Sequence, residues 1–332
     1  MIRVGVIRGG VSTEHDVSLA SGAHVLECLR SDTLKDRYTA IDIYIDKHGV
    51  WHYNGLPLSR TELPYKVDVI FNALHGEYGE DGRVQKELEE CGIPYTGSGV
   101  LASSLGYNKA HTKQVCDTLG ILTPKHILYP AYQKDFDGPR DAYALQKARE
   151  VVQSFPPPYI VKPLTGGSSM GIHVCKTFDD VVRAFRVGVG QNVSILVEEL
   201  IVGREASIGV IEGFRGQDVY ILPSTEIRIS KDKPYFDYTS KYTQSAHKIC
   251  PGVFSLSEKE MLDTIARRVH TGLGLAQYSQ VECIIHPEKG IYVIEVNTLP
   301  GLTKESLLTQ QLHAVGSSLT EFIDHSISRV RK

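Results

Sequence analysis

Two stretches of this 332-residue chain carry side chains whose types and spacing suit phosphate and metal chemistry. The first, YSQVECIIHPEKGIYVIEVNTLPG at 278–301, reads as two alternating strands about a turn at Pro287–Gly290. Symmetric pairing about that turn sets Glu282 opposite Glu295 and Gln280 opposite Asn297, all on one face, because residues i and i+2 share a face. Facing carboxylates repel unless a cation lies between them. Glu282, Glu295 and Asn297 offer hard oxygens that suit Mg²⁺, which keeps waters and is completed by substrate phosphates. A solvated acidic strand face is the alternative. The exit Asn297-Thr298-Leu299-Pro300-Gly301 adds backbone N–H groups just beyond these ligands.

The second stretch is VKPLTGGSSMG, 161–171. Lys162 at a strand end can reach phosphate while the N–H groups of the Gly/Ser turn cradle its oxygens. It is not a Walker A loop, since the lysine precedes the glycines and no GK[ST] follows. An ordinary hairpin loop is the other reading. LVEELIVGREAS sets Glu198 and Glu199 at a strand end and Glu205 after a glycine turn. Such a segment can offer backbone groups to an adenine edge and a carboxylate to ribose hydroxyls, or be an exposed acidic linker. Lys241 and Tyr242 fall in a polar stretch, 230–252, of a length that suits either disorder or a functional lid.

The elements that must position these residues follow from periodicity. IRVGVIRGG, AIDIYI and VDVIFNALHG read as strands, with helical spacing from Val17 to Leu29 and in RVQKELEECG. This β–α–β alternation predicts a parallel sheet with helices over residues 1–97. Two short helices follow in IPYTGSGVLASSLGYNKAHTKQVCDTLG. FDDVVRAFRVGV reads as a helix and VSILVEELI, EASIGVIEG and VYILPSTEIRI as strands. SEKEMLDTIARRVHTGLG is an amphipathic helix with Ser257 as its expected N-cap, and a last helix begins near Ser317. The expected division is 1–97, 98–201 and 202–332: a parallel α/β domain, a central lid domain, and a C-terminal domain with the metal ligands and mobile loop.

Composition narrows the function classes. The length exceeds one ordinary core, so two or three domains are expected. With 42% hydrophobic and 23% charged residues the chain reads as a soluble globular protein. A net charge of −3 without a basic run argues against nucleic acid. No apolar run approaches the roughly 18–20 residues of a membrane helix, and Met1 leads straight into a strand, so neither membrane nor signal peptide is expected. Six scattered cysteines without CxxC spacing fit reduced thiols in a cytoplasmic protein, and thirteen histidines show no metal-binding cluster. The first strand–turn, IRGGVSTE, does not match GxGxxG, which argues against a dinucleotide-binding dehydrogenase.

In order along the chain stand a phosphate-reaching lysine, a glycine loop, an acidic linker, a polar loop with a lysine, and an acidic hairpin. That order resembles the ATP-grasp superfamily. Nearly the whole chain is similar to the D-alanine–D-alanine ligase family within it. The matching stretches are GGVSTEHDVSLASG, ALHGEYGEDGRVQ, GIPYTGSGVLASSLGYNKAHTK, VKPLTGGSSMGI, DYTSKYT with CPG, and EVNTLPGLTKESLL. The resemblance implies a three-domain ATP-grasp fold, mixed α/β and α+β, with an N-terminal parallel-sheet domain. It implies ATP-dependent joining of two D-alanines through an acylphosphate, for peptidoglycan precursors, in a cytoplasmic homodimer.

Carried over residue by residue, the resemblance implies that Lys109 and Lys162 contact the α- and β-phosphates. Glu198, Glu199 and the backbone at Ile201 would hold adenine, Glu205 the ribose, and Lys241 the γ-phosphate. Glu282, Glu295 and Asn297 would hold two Mg²⁺, with Mn²⁺ as a substitute. Glu14 would take the ammonium of the first D-alanine, in a hydrogen-bonded chain with Ser168 and Tyr242, and Ser306 the carboxylate of the second. His75 would lie near the amino acids. Tyr242 matches the amide-forming members. The family's oxyanion hole pairs an arginine with a backbone N–H near Gly301, but Gln280 stands at the arginine's place here, and Glu282 where an aspartate is usual. Loss of one oxyanion donor typically costs about 2.7–4 kcal/mol. Two alternatives therefore stay open: a ligase for a different amino acid or amine pair, and a nucleotide-binding homologue with reduced activity.

Overall fold

The opening run IRVGVIRG forms strand β1 (Ile2–Gly9), whose central residues are buried, as a strand covered on both faces requires. It pairs in parallel with β2 (Tyr38–Ile45) and β5 (Val69–Asn72), and helix α1 (His15–Leu29) makes the first crossover. Two short antiparallel strands, β3 (Trp51–Tyr53) and β4 (Leu56–Pro57), complete a five-stranded sheet of order β4-β3-β2-β1-β5. The computed structural model describes residues 1–132, 136, 138–167, 171–229 and 246–330.

After α2 (Leu63–Lys66) and α3 (Arg83–Glu90), the chain turns into α4 (Val100–Tyr107) and α5 (Lys109–Thr118). A second, antiparallel sheet has the order β6-β9-β7-β8, from β6 (His126–Tyr129), β7 (Tyr159–Pro163), β8 (His173–Cys175) and β9 (Ile195–Glu199). Its core includes Ala144, Ala148 and Val151 of α6 (Arg140–Ser154) and Val181 and Phe185 of α7 (Phe178–Gln191).

The third sheet is antiparallel and runs β13-β12-β10-β14-β15, with β11 also on β10. Its strands are β10 (Arg204–Glu212), β11 (Val219–Ile221), β12 (Thr225–Ile229), β13 (Ala246–Ile249), β14 (Tyr278–His286) and β15 (Gly290–Asn297). Helix α8 (Leu256–Gly272) lies on it, burying Leu262, Ala266 and Val269. Two helices close the chain, α9 (Leu307–Ala314) and α10 (Leu319–Val330).

Packing crosses the expected divisions at two places. Helices α4 and α5, inside 98–201, send Ala102 and Cys116 into the core of the third sheet. Helix α10, inside 202–332, packs Phe322, Ile323 and Ile327 into one core with Val4, Val6 and Phe71 of the first sheet.

Local signals account for smaller differences. The N-cap of α8 is Ser255, not Ser257: the Ser255 hydroxyl accepts from the Glu258 N–H at 3.2 Å, and the Glu258 carboxylate accepts from the Ser255 N–H at 2.6 Å. Within the polar stretch 230–252, residues 246–249 form strand β13, whose partner β12 supplies order that a weakly periodic sequence does not advertise. Helices α6 and α9 were not anticipated. All six cysteines are free thiols, four of them buried. Among the described residues no helix is long and apolar enough to cross a membrane.

Candidate active site

A cleft lies between the second and third sheets. From the second come Lys162 of β7, Glu198 and Glu199 of β9, and Ile201 just beyond it; from the third, Glu205 of β10, Glu282 of β14 and Glu295 of β15. Seven residues singled out from sequence thus line one cleft. Ser168, Lys241 and Tyr242 lie outside the described residues.

On the second-sheet wall, Glu198 is buried with its carboxylate between two lysines. Lys162 Nζ stands 2.7 Å from Oε2 and Lys113 Nζ 2.9 Å from Oε1. Burial alone would raise the Glu198 carboxyl; Lys162 and then Lys113 outweigh it and hold it below the usual range. Burial pushes the Lys113 ammonium down, against the pull of Glu198. Lys113 was not singled out from sequence, although it stands one helical turn after Lys109 in KAHTK, where i and i+4 share a face. Lys109 itself donates from Nζ to the Gly166 carbonyl at 2.6 Å, at the glycine turn that follows Lys162. The Glu199 carboxylate accepts from the Lys125 N–H at 2.9 Å.

On the third-sheet wall the expected facings are observed. Glu282 pairs with Glu295 and Gln280 with Asn297. The turn itself is tighter than symmetric pairing implies. His286 pairs with Gly290, and a bulge beside Glu282 restores the register by adding Ile294 to β15. Strict alternation would point consecutive residues to opposite faces, yet Ile294 and Glu295 both line the cleft. The bulge allows this, setting an apolar wall beside a carboxylate.

The Asn297 amide donates to Glu282 Oε1 at 3.0 Å. Among the described residues no group of three or more His, Cys, Asp or Glu side chains converges, so the donor set is a carboxylate pair plus an amide. Hard oxygens in that small number fit Mg²⁺ whose remaining positions are taken by water and phosphate. Gln280, 4% exposed, has no hydrogen-bond partner for its Nε2 among the described residues. A buried orphan donor is rare and costly.

Farther along stands Glu14, buried at the start of α1. Two glycines make room for it: a Cβ at Gly76 or Gly167 would come within 2.7 or 2.8 Å of Glu14 Oε2. Gly76 also has a φ of +70°, which favours glycine. Behind it lies Glu80, buried and not singled out from sequence. Its carboxylate accepts from Gly76 N–H at 2.9 Å and from Leu299 N–H and the Thr298 hydroxyl, both at 3.3 Å. Burial, then the charge on Glu14, push its carboxyl up to about 7 against those hydrogen bonds. His75 is also buried, which holds its imidazole below the usual pKa against the opposing charge of Glu14. Ser306 immediately precedes α9, its Oγ accepting from the Thr303 N–H at 3.0 Å rather than capping the helix, and a Cβ at Gly301 would come 2.8 Å from that oxygen.

Comparison with known proteins gives this arrangement its relatives. The family model described as D-ala D-ala ligase N-terminus matches residues 3–63 and 54–98, and that described as D-ala D-ala ligase C-terminus matches 132–328. A D-alanine–D-alanine ligase of Geobacter sulfurreducens is 35% identical over 93% of this chain and 87% of its own length. That of Carboxydothermus hydrogenoformans is 34% identical over 97% and 96%. Among solved structures, the VanG D-Ala:D-Ser ligase from Enterococcus faecalis has a TM-score of 0.82 at 26% identity, covering 99% of both chains. The Bacillus anthracis D-alanine–D-alanine ligase complexed with ATP has a TM-score of 0.76 at 28% identity, covering 99% of this chain and 97% of that one. The fold is therefore that of the ATP-grasp ligases, and the chain belongs to the D-alanine–D-alanine ligase family.

Proposed function

We propose that the cleft between the second and third sheets takes ATP, and that the chain uses it to join two D-alanines into the dipeptide of peptidoglycan precursors. The observation that carries the site reading is the single cavity shared by Lys162, Glu198, Glu199, Glu205, Glu282 and Glu295. Lys162, anchored by Glu198, presents a fixed cation to the phosphates, and Lys109 approaches from the glycine turn. Ile201 and its neighbours offer an apolar wall and backbone groups to the base, while Glu205 faces the ribose. Glu282, Glu295 and Asn297 would hold Mg²⁺, which when bound neutralises charge on the phosphoryl group in transfer.

The reaction divides into two steps. A carboxylate oxygen of the first D-alanine attacks the γ-phosphorus and ADP departs, leaving an acylphosphate. The amine of the second then attacks the acyl carbon, a proton is lost, and phosphate leaves. Glu14 holds the first ammonium and Ser306 the second carboxylate. Lys241 reaches the γ-phosphate. The charge that develops on the carbonyl oxygen falls to Gly301 N–H and to the orphaned Nε2 of Gln280, a neutral donor in place of the family's arginine. Pairing of two chains into a homodimer belongs to the same proposal.

The test is ATP-dependent phosphate release with Mg²⁺ and D-alanine, D-serine, L-alanine or no amino acid, with products identified by mass. D-alanine-dependent phosphate with D-alanyl-D-alanine is expected. ATP binding without amino-acid-dependent phosphate would overturn the assignment. Gln280→Ala should then lower kcat by ~10²–10³ while KM for ATP stays nearly unchanged.

A further inference from the structure

The segment after the last strand, Thr298 to Leu302, is held almost entirely by residues from the other end of the chain. Leu299 N–H donates to Glu80 at 3.3 Å, and the Leu299 carbonyl lies 3.0 Å from His75 Nδ1. Leu302 N–H donates to the Ser21 hydroxyl at 3.3 Å, and the Leu302 carbonyl lies 2.7 Å from His24 Nδ1. Both backbone polar groups of both leucines are therefore taken by side chains of the first 80 residues. Pro300 has no N–H. Of the donors between Leu299 and Leu302, only the Gly301 N–H has no partner among the described residues.

The bonds also have a direction. Ser21 Oγ lies 2.8 Å from His75 Nε2. With Leu302 N–H donating to Ser21, the Ser21 hydroxyl donates to Nε2, and Nδ1–H donates to the Leu299 carbonyl. A neutral ring with its proton on Nδ1 satisfies every group, and burial favours that neutral form. The chain of bonds thus closes a loop around Pro300 and Gly301.

We propose that Ser21, His24, His75 and Glu80 form a backbone clamp that aims the Gly301 N–H at the reacting carbonyl oxygen, making them positioning residues for the ligase reaction. The proposal rests on the oxyanion role of Gly301 given above. It fits the cost of misalignment, since a displacement of about 1 Å at a reacting group can cost ~10² in rate. It also explains why a histidine buried away from solvent makes bonds on both ring nitrogens.

The test compares the full chain with Ser21→Ala, His75→Asn and His24→Ala, measuring kcat, KM for ATP and for each D-alanine site, and inhibition by a phosphinate dipeptide that mimics the tetrahedral adduct. Expected are losses of 10-fold or more in kcat for Ser21→Ala and His75→Asn, and 3-fold or more for His24→Ala. KM for ATP should stay within 2-fold, and phosphinate affinity should weaken in proportion to kcat. His24 is only partly buried, so its variant keeps the test decisive if the buried ones fold poorly. A working wild type with His24→Ala and any folded partner variant within 2-fold in kcat would overturn the clamp. So would losses confined to KM for ATP. A wild type without D-alanine-dependent phosphate release would instead overturn the reading on which the clamp rests.

Discussion

Glu198 and Glu80 are both buried carboxylates, and they behave in opposite ways. Glu198 sits between two ammonium groups and stays ionised below its usual range. Among the described residues Glu80 has only neutral donors, with the like charge of Glu14 nearby, and its carboxyl is raised to about 7. Burial is common to both, so burial does not decide the charge state; the formal charge of the partners does. Glu198 is held as an anion against Lys162, whereas Glu80 can change charge near neutral pH while holding the backbone at Gly76 and Leu299.

The largest expected effect comes from removing the anion. Glu198→Ala leaves Lys113 and Lys162 buried together without a counter-charge, and should cost about 3–5 kcal/mol in urea unfolding. A loss below about 1 kcal/mol would mean that water reaches the lysines and the contrast with Glu80 is false.

A pH series sharpens the contrast. The folded pKa of Glu80 lies above its ordinary 4.5, so between about 4.5 and 7 the folded state binds the extra proton, and unfolding free energy falls as pH rises. The span corresponds to roughly 3 kcal/mol, and Glu80→Gln should abolish that part of the slope. Glu198 has the other sign: its contribution is present above its unfolded pKa and is lost as pH falls through its lowered folded value. Parallel slopes for wild type and Glu80→Gln would show that Glu80 titrates alike in both states.

The smallest effect should come from Lys113→Met. Two lysines and one glutamate carry an excess positive charge, so this change leaves a neutral Lys162–Glu198 pair and an apolar side chain in the space. Stability should stay within about 1 kcal/mol of the parent by the same unfolding measurement. A cost as large as that of Glu198→Ala would mean that both lysines are needed to keep Glu198 ionised.

The sequence made the acidic hairpin legible because a two-residue period assigns faces, and the facing of Glu282 with Glu295 and of Gln280 with Asn297 is as expected. It could not show the added Ile294, because a bulge breaks the period while leaving the pairs beyond it in place. Lys113 was open to view through its spacing from Lys109, but its significance depends on Glu198, 85 residues away. Glu80 and Ser21 were hidden more deeply. Their partners are backbone groups of Leu299 and Leu302, and backbone atoms leave no mark in composition or periodicity. Ser255 was missed for a local reason: the capping signature spans Ser255 to Glu258, one turn before the apolar pattern becomes regular.

The shared core of α10 and the first sheet has a consequence for how the molecule is made. Val4, Val6 and Phe71 are made before Phe322, Ile323 and Ile327, which share their core and come some 250 residues after Phe71. The first sheet can pair its strands and take up α1 during synthesis, but part of its apolar face waits for α10. Stalled or truncated products lacking α10 are therefore the forms most exposed to aggregation and most dependent on chaperones.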